Sequence, residues 1–199
     1  MTVRDPYFDP AVGDLRNLLG ARSSEELCRL EPQAVFANEL ELPTAGIPRT
    51  NDLIELRRIH RHLFRGVYDW AGDLRTVDIK KHHEGAQFFL PVGFIERAAG
   101  FVFAELSGEQ GLSGLDRTAF VSRFAYFYDQ LNYIHPFREG NGRTQRVFWS
   151  RVAHDAGYAV DWTQVVGEEN DRACAAAAEN GDRSLLVTMF DRIVVPERP

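Results

Sequence analysis

The segment NYIHPFREGNGRTQRVFW, which runs from Asn132 to Trp149, combines a histidine, an acid, two glycines and three arginines within a dozen positions. Within it, Gly140 and Gly142 surround Asn141 and lead directly into a helical pattern. A glycine-rich entry into a helix directs several backbone N–H groups and the helix dipole at one point. A phosphate fits there better than any other common ligand, so these three residues form a candidate phosphate site.

The charged residues of the same segment extend this chemistry. Arg143 and Arg146 are three residues apart on the predicted helix, so they share a face and can reach a ligand with several negative groups. Glu139 precedes the glycines, and a carboxylate beside phosphates is a usual way to hold Mg²⁺. Pro136 ends the preceding helix, which places His135, a candidate general base, in a loop. Together these parts describe phosphoryl or nucleotidyl transfer.

Each of these residues also has a structural interpretation. Arg143 and Arg146, taken alone, are equally well explained as solvated surface charges. It is their occurrence beside the glycines, His135 and Glu139 that favours chemistry. Phe137 is interpreted as a structural residue that pins the loop to the core, and Arg138 is expected to face solvent.

Composition sets the broad class of the protein. A chain of 199 residues with 44% hydrophobic residues suits one domain. A net charge of -6 gives no basic field for phosphate backbones, so direct nucleic-acid binding is not expected. Cys28 and Cys174 lie far apart and form no zinc or redox spacing, so they are interpreted as buried thiols in a reducing cytoplasm. No apolar run approaches the roughly 18 residues of a membrane span, and no export signal is recognisable, so we expect a soluble cytoplasmic protein.

The elements that must position this segment are mainly helical. Ser23 and Glu26 predict a helix start of the capping-box type, and Pro32 predicts the beginning of a second helical piece that ends near ELELP. Further helices are expected over 53–66, 94–106, 116–133 and 141–156, followed by two more. The runs RTVDI and AQFFL, on either side of KKHHEGA, predict one β-hairpin with its turn at residues 83–85.

The motif HPFREGNGR followed by Arg146 resembles the signature of Fic-domain proteins, HPFx(D/E)GNGRxxR, at every specified position. The preceding LRRIHRHLFRGVYDWAGDLRTVDI and FFLP are also similar to that family. DPYFDP, NLLG and GYAVDW resemble the toxin members of Fic toxin–antitoxin pairs. The resemblance implies a single Fic domain over 1–199, with its core at about 50–160 and its active-site loop and helix at 135–156. It implies a bundle of about seven to eight helices with one β-hairpin flap at 76–90.

The resemblance also implies an activity, the transfer of AMP from ATP to a Tyr, Ser or Thr hydroxyl of a target protein. It assigns the base to His135, Mg²⁺ binding to Glu139 and the anion hole to Asn141 and Gly142. Gly140 belongs to the same phosphate-binding segment, and Arg143 and Arg146 would contact the β- and γ-phosphates. The flap would clamp an extended target segment by strand pairing through Phe88, Phe89 and Leu90. His82 and His83, at its turn, are interpreted as solvated residues.

The sequence lacks the inhibitory helix that regulates many members of this family. No Ser or Thr begins the family's inhibitory pattern (S/T)xxxE(G/N), so the resemblance implies a separate small antitoxin that carries such a helix. It suggests the ATPase subunits of DNA gyrase and topoisomerase IV as targets.

Two other functions stay open. The first alternative to AMP transfer is a phosphocholine or phosphate transferase, although the phosphate-transferring relatives lack a glycine at the position of Gly142. A nucleotide- or peptide-binding module without catalysis is the second, although His135 and Glu139 are both present.

Overall fold

A computed structural model describes residues 5–80 and 89–197 of the chain. The prediction of a mainly helical fold is confirmed. The described residues form, in order, β1 (Phe8–Asp9), β2 (Asp14–Leu15), α1 (Ser24–Leu40), α2 (Leu53–Phe64), α3 (Ile95–Gly108), α4 (Arg117–Ile134), α5 (Asn141–Asp155), β3 (Tyr158–Val160), α6 (Gly167–Asn180), α7 (Ser184–Ile193) and β4 (Val194–Pro196). None of the helices in these ranges combines the length and the apolar character that crossing a membrane requires.

Helix α2 shows how the sequence builds the centre of the fold. The side chain of Asp52 caps it by accepting the N–H of Glu55. Leu56, Ile59 and Leu63 follow at helical spacing and are fully buried. This face packs against α1 and α5, while α4 packs against α3, α5 and α7. The helix that carries the glycine-rich motif is therefore held from several sides.

Helix α1 differs from the expectation at Pro32. The two helical pieces predicted there are a single helix, Ser24–Leu40, with Pro32 inside it. A proline in a helix interior removes one backbone hydrogen bond and crowds the preceding turn. Here Leu27 and Val35, one on each side of the proline, are both buried on the same face. Because both halves pack into one core, the helix continues.

Two pairs of short strands occur among the described residues in addition to the predicted hairpin. β1 pairs antiparallel with β2 near the N-terminus, and β3 pairs antiparallel with β4, which joins Tyr158–Val160 to the C-terminal segment. The predicted flap begins as expected, since Phe89 donates its N–H to the carbonyl of Ile79 at 3.0 Å. Its turn at residues 83–85 lies outside the described residues.

Candidate active site

Residues 135–140 connect α4 to α5 and are called here the motif loop. His135 begins it in the left-handed conformation (φ 47°) and donates its N–H to the carbonyl of Leu131. That backbone conformation costs about 1–2 kcal/mol for a residue with a side chain. Nδ1 lies 3.1 Å from the carbonyl oxygen of Asn132, which can only accept, so Nδ1 carries a proton, and in the neutral imidazole Nε2 carries the lone pair. The Phe89 ring of the flap stacks on the imidazole at 3.7 Å.

The side chain of Asn141 closes the motif loop. Its Oδ1 accepts the N–H of Phe137 at 2.9 Å, and its Nδ2 donates to the carbonyl of the same residue at 2.7 Å. Asn141 is only 3% exposed. Its contribution to an anion site therefore comes from its backbone N–H rather than its amide. Phe137 is 1% exposed, and its ring stacks on that of His60 at 3.9 Å.

Gly140 makes the start of α5 possible. It has φ +79°, and a Cβ at this position would lie 2.2 Å from Cζ of Phe64. Its carbonyl accepts the N–H of Thr144 at 3.0 Å as the first bond of the helix. The N–H groups of Asn141, Gly142 and Arg143 precede that bond and have no acceptor within the helix. Such N–H groups, together with the helix dipole, form a geometry that would suit an anion.

Arg143 has three neighbours. Its guanidinium lies over the Phe64 ring at 4.8 Å, 3.6 Å from the Glu139 carboxylate, and hydrogen-bonds to Glu31 of α1. Glu31 also accepts from the hydroxyl of Tyr68. Burial, and then the bond to Glu31, raises the pKa of Tyr68, so the hydroxyl remains a donor. Arg143 is thus held in place by Glu31, an acid on a helix distant in sequence.

Arg146 lies one turn further along α5, with its guanidinium 5.9 Å from the centre of the Trp162 ring. Both Arg146 and Arg143 line a cleft of about 500 Å³ between α5 and the end of α1. Leu42 and Pro43 form part of the opposite wall. The structure therefore brings the two arginines to one cavity, as their spacing predicts.

The side chain of His60 hydrogen-bonds to the backbone of Glu139 in the motif loop. The carboxylate of Glu139 is 44% exposed and accepts the N–H of Gly140 at 3.0 Å. The carbonyl of Glu139 lies 3.0 Å from Nε2 of His60, whose Nδ1 accepts the N–H of Gly72 at 2.7 Å. Burial lowers the pKa of His60 to about 3, so its imidazole is neutral and donates to Glu139.

His60 gives a testable pH dependence. The unfolded chain protonates it near pH 6.5, whereas the native state keeps it neutral to about pH 3. The stability that neutral His60 contributes is therefore complete above pH 6.5 and is lost as the pH falls towards 3, by at most about 1.4 kcal/mol per pH unit.

The variant His60→Gln tests this, because glutamine keeps a hydrogen-bond acceptor and a donor but does not titrate. We expect its free energy of unfolding, measured in urea, to fall less steeply with falling pH than that of the unsubstituted protein. A wild-type slope in His60→Gln, or the same flattening in the exposed control His154→Gln, would contradict this.

The expectation that Arg138 faces solvent is wrong. Its side chain is 15% exposed and forms two hydrogen bonds with the carboxylate of Asp5, at 2.9 and 3.0 Å. The N-terminal segment packs beside the motif loop, with Tyr7 5% exposed and its hydroxyl 3.3 Å from that of Thr76. An acid 133 positions away in sequence thus neutralises this arginine.

Besides Asp5, the contacts of Glu31, His60 and Arg75 with the motif residues were not predicted from sequence. Glu31 lies four residues from both Leu27 and Val35, and His60 lies four residues after Leu56, so each is on the buried face of its helix. That periodicity was a usable signal. Arg75 is buried beside the motif loop, and nothing in its local sequence indicates this. Of the predicted flap residues, Phe89 and Leu90 are described, whereas Phe88 lies outside the described residues.

A helix N-terminus with two arginines, preceded by one short loop that begins with a histidine, defines a candidate nucleotide-phosphate site on a helical fold. Residues 51–153 match the model of the Fic/DOC family. The chain belongs to this family.

Known proteins resemble the chain over most of its length. It is 41% identical over 188 residues to protein adenylyltransferase VbhT of Bartonella schoenbuchensis, covering 94% of this chain but only 38% of VbhT. It is 36% identical to the probable protein adenylyltransferase Fic of Escherichia coli, covering 96% of this chain and 92% of that protein.

Solved structures agree with the fold. The Fic domain of a Bartonella quintana effector, solved with bound ADP, superposes with a TM-score of 0.89 at 25% identity, covering 96% of this chain and 95% of that one. BepC of Bartonella tribocorum, solved with AMPPNP, has a TM-score of 0.90 at 23% identity, which supports the fold alone.

Proposed function

We propose that the chain transfers AMP from ATP to a Tyr, Ser or Thr hydroxyl of a target protein. One observation carries the proposal: the six-residue motif loop begins with His135, whose neutral imidazole would have its lone pair on Nε2, and ends at the N-terminus of the helix that carries Arg143 and Arg146. The relatives named protein adenylyltransferases support AMP as the group transferred. The ADP bound to the Bartonella quintana domain supports a nucleotide at the site.

The reaction is one in-line displacement. The target's hydroxyl oxygen attacks the α-phosphorus of ATP, and the bond from that phosphorus to the oxygen bridging to the β-phosphate breaks. Nε2 of His135 takes the hydroxyl proton, and pyrophosphate leaves. The N–H groups at the start of α5 stabilise charge on the phosphates, while Arg143 and Arg146 hold the β- and γ-phosphates.

Mg²⁺ is the cofactor that fits the residues present. Glu139 offers a carboxylate that is 44% exposed, next to the proposed phosphate site. Mg²⁺ is commonly held by one or two carboxylates together with substrate phosphates. Bound there, the ion would neutralise phosphate charge. The 3.6 Å contact between Glu139 and Arg143 limits repulsion between this carboxylate and the phosphates.

We also propose that a separate antitoxin inhibits the enzyme. Arg146 lines a cleft of about 500 Å³, and Phe36 and Leu40, one turn apart on the neighbouring α1, are 61% and 67% exposed. An apolar helix face with one glutamate would suit this surface, because the glutamate would pair with Arg146 in place of the γ-phosphate.

The proposed target enters along the flap. Phe89 already stacks on His135, so a segment paired with the flap would bring its hydroxyl near the base. The ATPase subunits of DNA gyrase and topoisomerase IV are the proposed targets. Cys174 is buried as expected, whereas Cys28 is exposed, so the prediction of two buried thiols is wrong for Cys28. A reducing cytoplasm is the proposed location, since both cysteines are thiols.

The test is to identify which phosphate is transferred. The protein would be incubated with Mg²⁺, a bacterial lysate, and ATP labelled at the α- or the γ-phosphate. We expect target protein labelled only from the α-phosphate, no label with His135→Asn, and normal label with His154→Ala, a matched loss of an exposed histidine. Label from the γ-phosphate alone would indicate phosphate transfer. No label from either would favour the nucleotide-binding module.

A further inference from the structure

Arg75 is the most completely buried charged side chain near the motif loop, with 0% side-chain exposure. It lies at the start of the flap. Its guanidinium donates to four backbone carbonyls, which belong to Ile134 at 3.3 Å, His135 at 2.8 Å, Val77 at 2.9 Å and Leu90. The first two are at the end of α4, and the other two are on the two arms of the flap. One side chain therefore connects three segments that are separate in sequence.

The surroundings of Arg75 show that carbonyl dipoles, rather than a buried acid, compensate its charge. Within the described residues, the carboxylate nearest to Arg75 is that of Asp78, which is 3.7 Å away and half exposed. Burial lowers the pKa of the Arg75 guanidinium, but an arginine stays protonated at any ordinary pH. Bonds from a charged donor are stronger than neutral ones, and removing the donor leaves buried carbonyls unsatisfied.

The backbone reinforces this connection. The N–H of Arg75 donates to the carbonyl of Pro136 at 2.9 Å. Leu90 donates its N–H to the carbonyl of Tyr133 at 3.1 Å, while its own carbonyl accepts from Arg75. His135 is held in the same way, by its N–H to Leu131 and its carbonyl to Arg75. Both the base and the flap's return arm are thus fixed through the same guanidinium.

We propose that Arg75 is a positioning residue that locks the flap to the motif loop, so that a target segment paired with the flap meets His135 in one register. This inference rests on the proposed function. The bonds of Arg75 run to the end of α4 and to the flap, whereas the phosphate-binding residues begin at Gly140. Loss of Arg75 should therefore impair transfer to the target without impairing nucleotide binding. A misplacement of about 1 Å between reacting groups can cost about 10²-fold in rate.

The experiment compares Arg75→Lys and Arg75→Ala with the same substitutions at Arg117. Arg117 also donates to a backbone carbonyl, that of Val194 at 3.1 and 3.2 Å, but it lies at the opposite end of α4 from His135. For each variant we would measure nucleotide affinity by calorimetry, kcat/KM for AMP transfer to the target, and the melting temperature. Arg75→Ala would also be assayed with added guanidinium ion.

We expect Arg75→Lys to retain nucleotide affinity and to lose about 10²-fold in kcat/KM for the target. Guanidinium should restore part of the activity of Arg75→Ala, and the Arg117 variants should keep both properties. Wild-type transfer in Arg75→Lys, or equal losses of transfer and nucleotide affinity, would overturn the proposal. If Arg75→Ala does not fold, Arg75→Lys decides the question alone.

A second readout separates this inference from the proposed function. If the unsubstituted protein transferred no AMP, the proposed function would fail, but hydrogen exchange would still test the lock. The amides of Phe89 and Leu90 should exchange faster in Arg75→Lys than in the unsubstituted protein and in Arg117→Lys. Unchanged exchange at both amides would overturn the positioning role.

Discussion

His135→Asn is expected to reduce AMP transfer by about 10²–10⁴-fold while leaving nucleotide affinity unchanged, because it removes the proton acceptor and nothing that contacts phosphate. Asparagine is the best replacement for this position. His135 has φ 47°, and asparagine tolerates the left-handed region better than alanine does. Its amide can also donate to the carbonyl of Asn132, as Nδ1 does now.

The measurement is single-turnover transfer from α-labelled ATP, with nucleotide affinity and melting temperature determined on the same samples. His154→Asn is the matched control, since its side chain is 55% exposed and pairs with Glu197 far from the motif loop. Transfer by His135→Asn at the wild-type rate would exclude His135 as the base. A parallel loss of nucleotide affinity would instead assign the residue to binding.

Gly140→Ala is expected to destabilise the protein by about 3 kcal/mol or more. The added Cβ would lie 2.2 to 2.9 Å from three atoms of the Phe64 ring, which is fully buried, so the ring can move only by disturbing its neighbours in the core. The positive φ of Gly140 adds backbone strain. Because Arg143 stacks on the same ring, a displaced Phe64 should also weaken nucleotide binding.

Gly142→Ala is the control for this prediction. A Cβ there meets nothing within 4 Å, and Gly142 lies in the first turn of α5, where alanine favours the helix by up to about 1 kcal/mol. Urea unfolding should therefore show a large loss for Gly140→Ala and none for Gly142→Ala. If the clash is the cause, Gly140→Ala should cost less when combined with Phe64→Leu than it does alone. Equal costs in the two backgrounds would contradict this.

Features that depend on neighbouring residues were predicted from the sequence. Ser23 caps α1 as expected, and the helices predicted over 116–133 and 141–156 are found at Arg117–Ile134 and Asn141–Asp155, since caps and turns are settled within a few residues. Pro136 ended α4 for the same reason. The hydrophobic spacing of α2 identified the face that packs into the core. Pro32 is the exception: its local tendency to begin a new helix was outweighed by the burial of Leu27 and Val35, which keeps both halves of α1 in one core.

The sequence by itself determined the family, the helical class and a set of candidate site residues, because the motif keeps them within twelve consecutive positions of one loop and one helix. Their catalytic roles stay predictions until transfer is measured. Only the tertiary structure decided which residues support the motif: Glu31 on Arg143, Asp5 on Arg138, and Arg75 on His135, which is 60 positions away. The pairing of β3 with β4 was likewise decided only by the tertiary structure. Such contacts form when distant segments close on one core, and their geometry is set by the packing of whole helices rather than by local propensity.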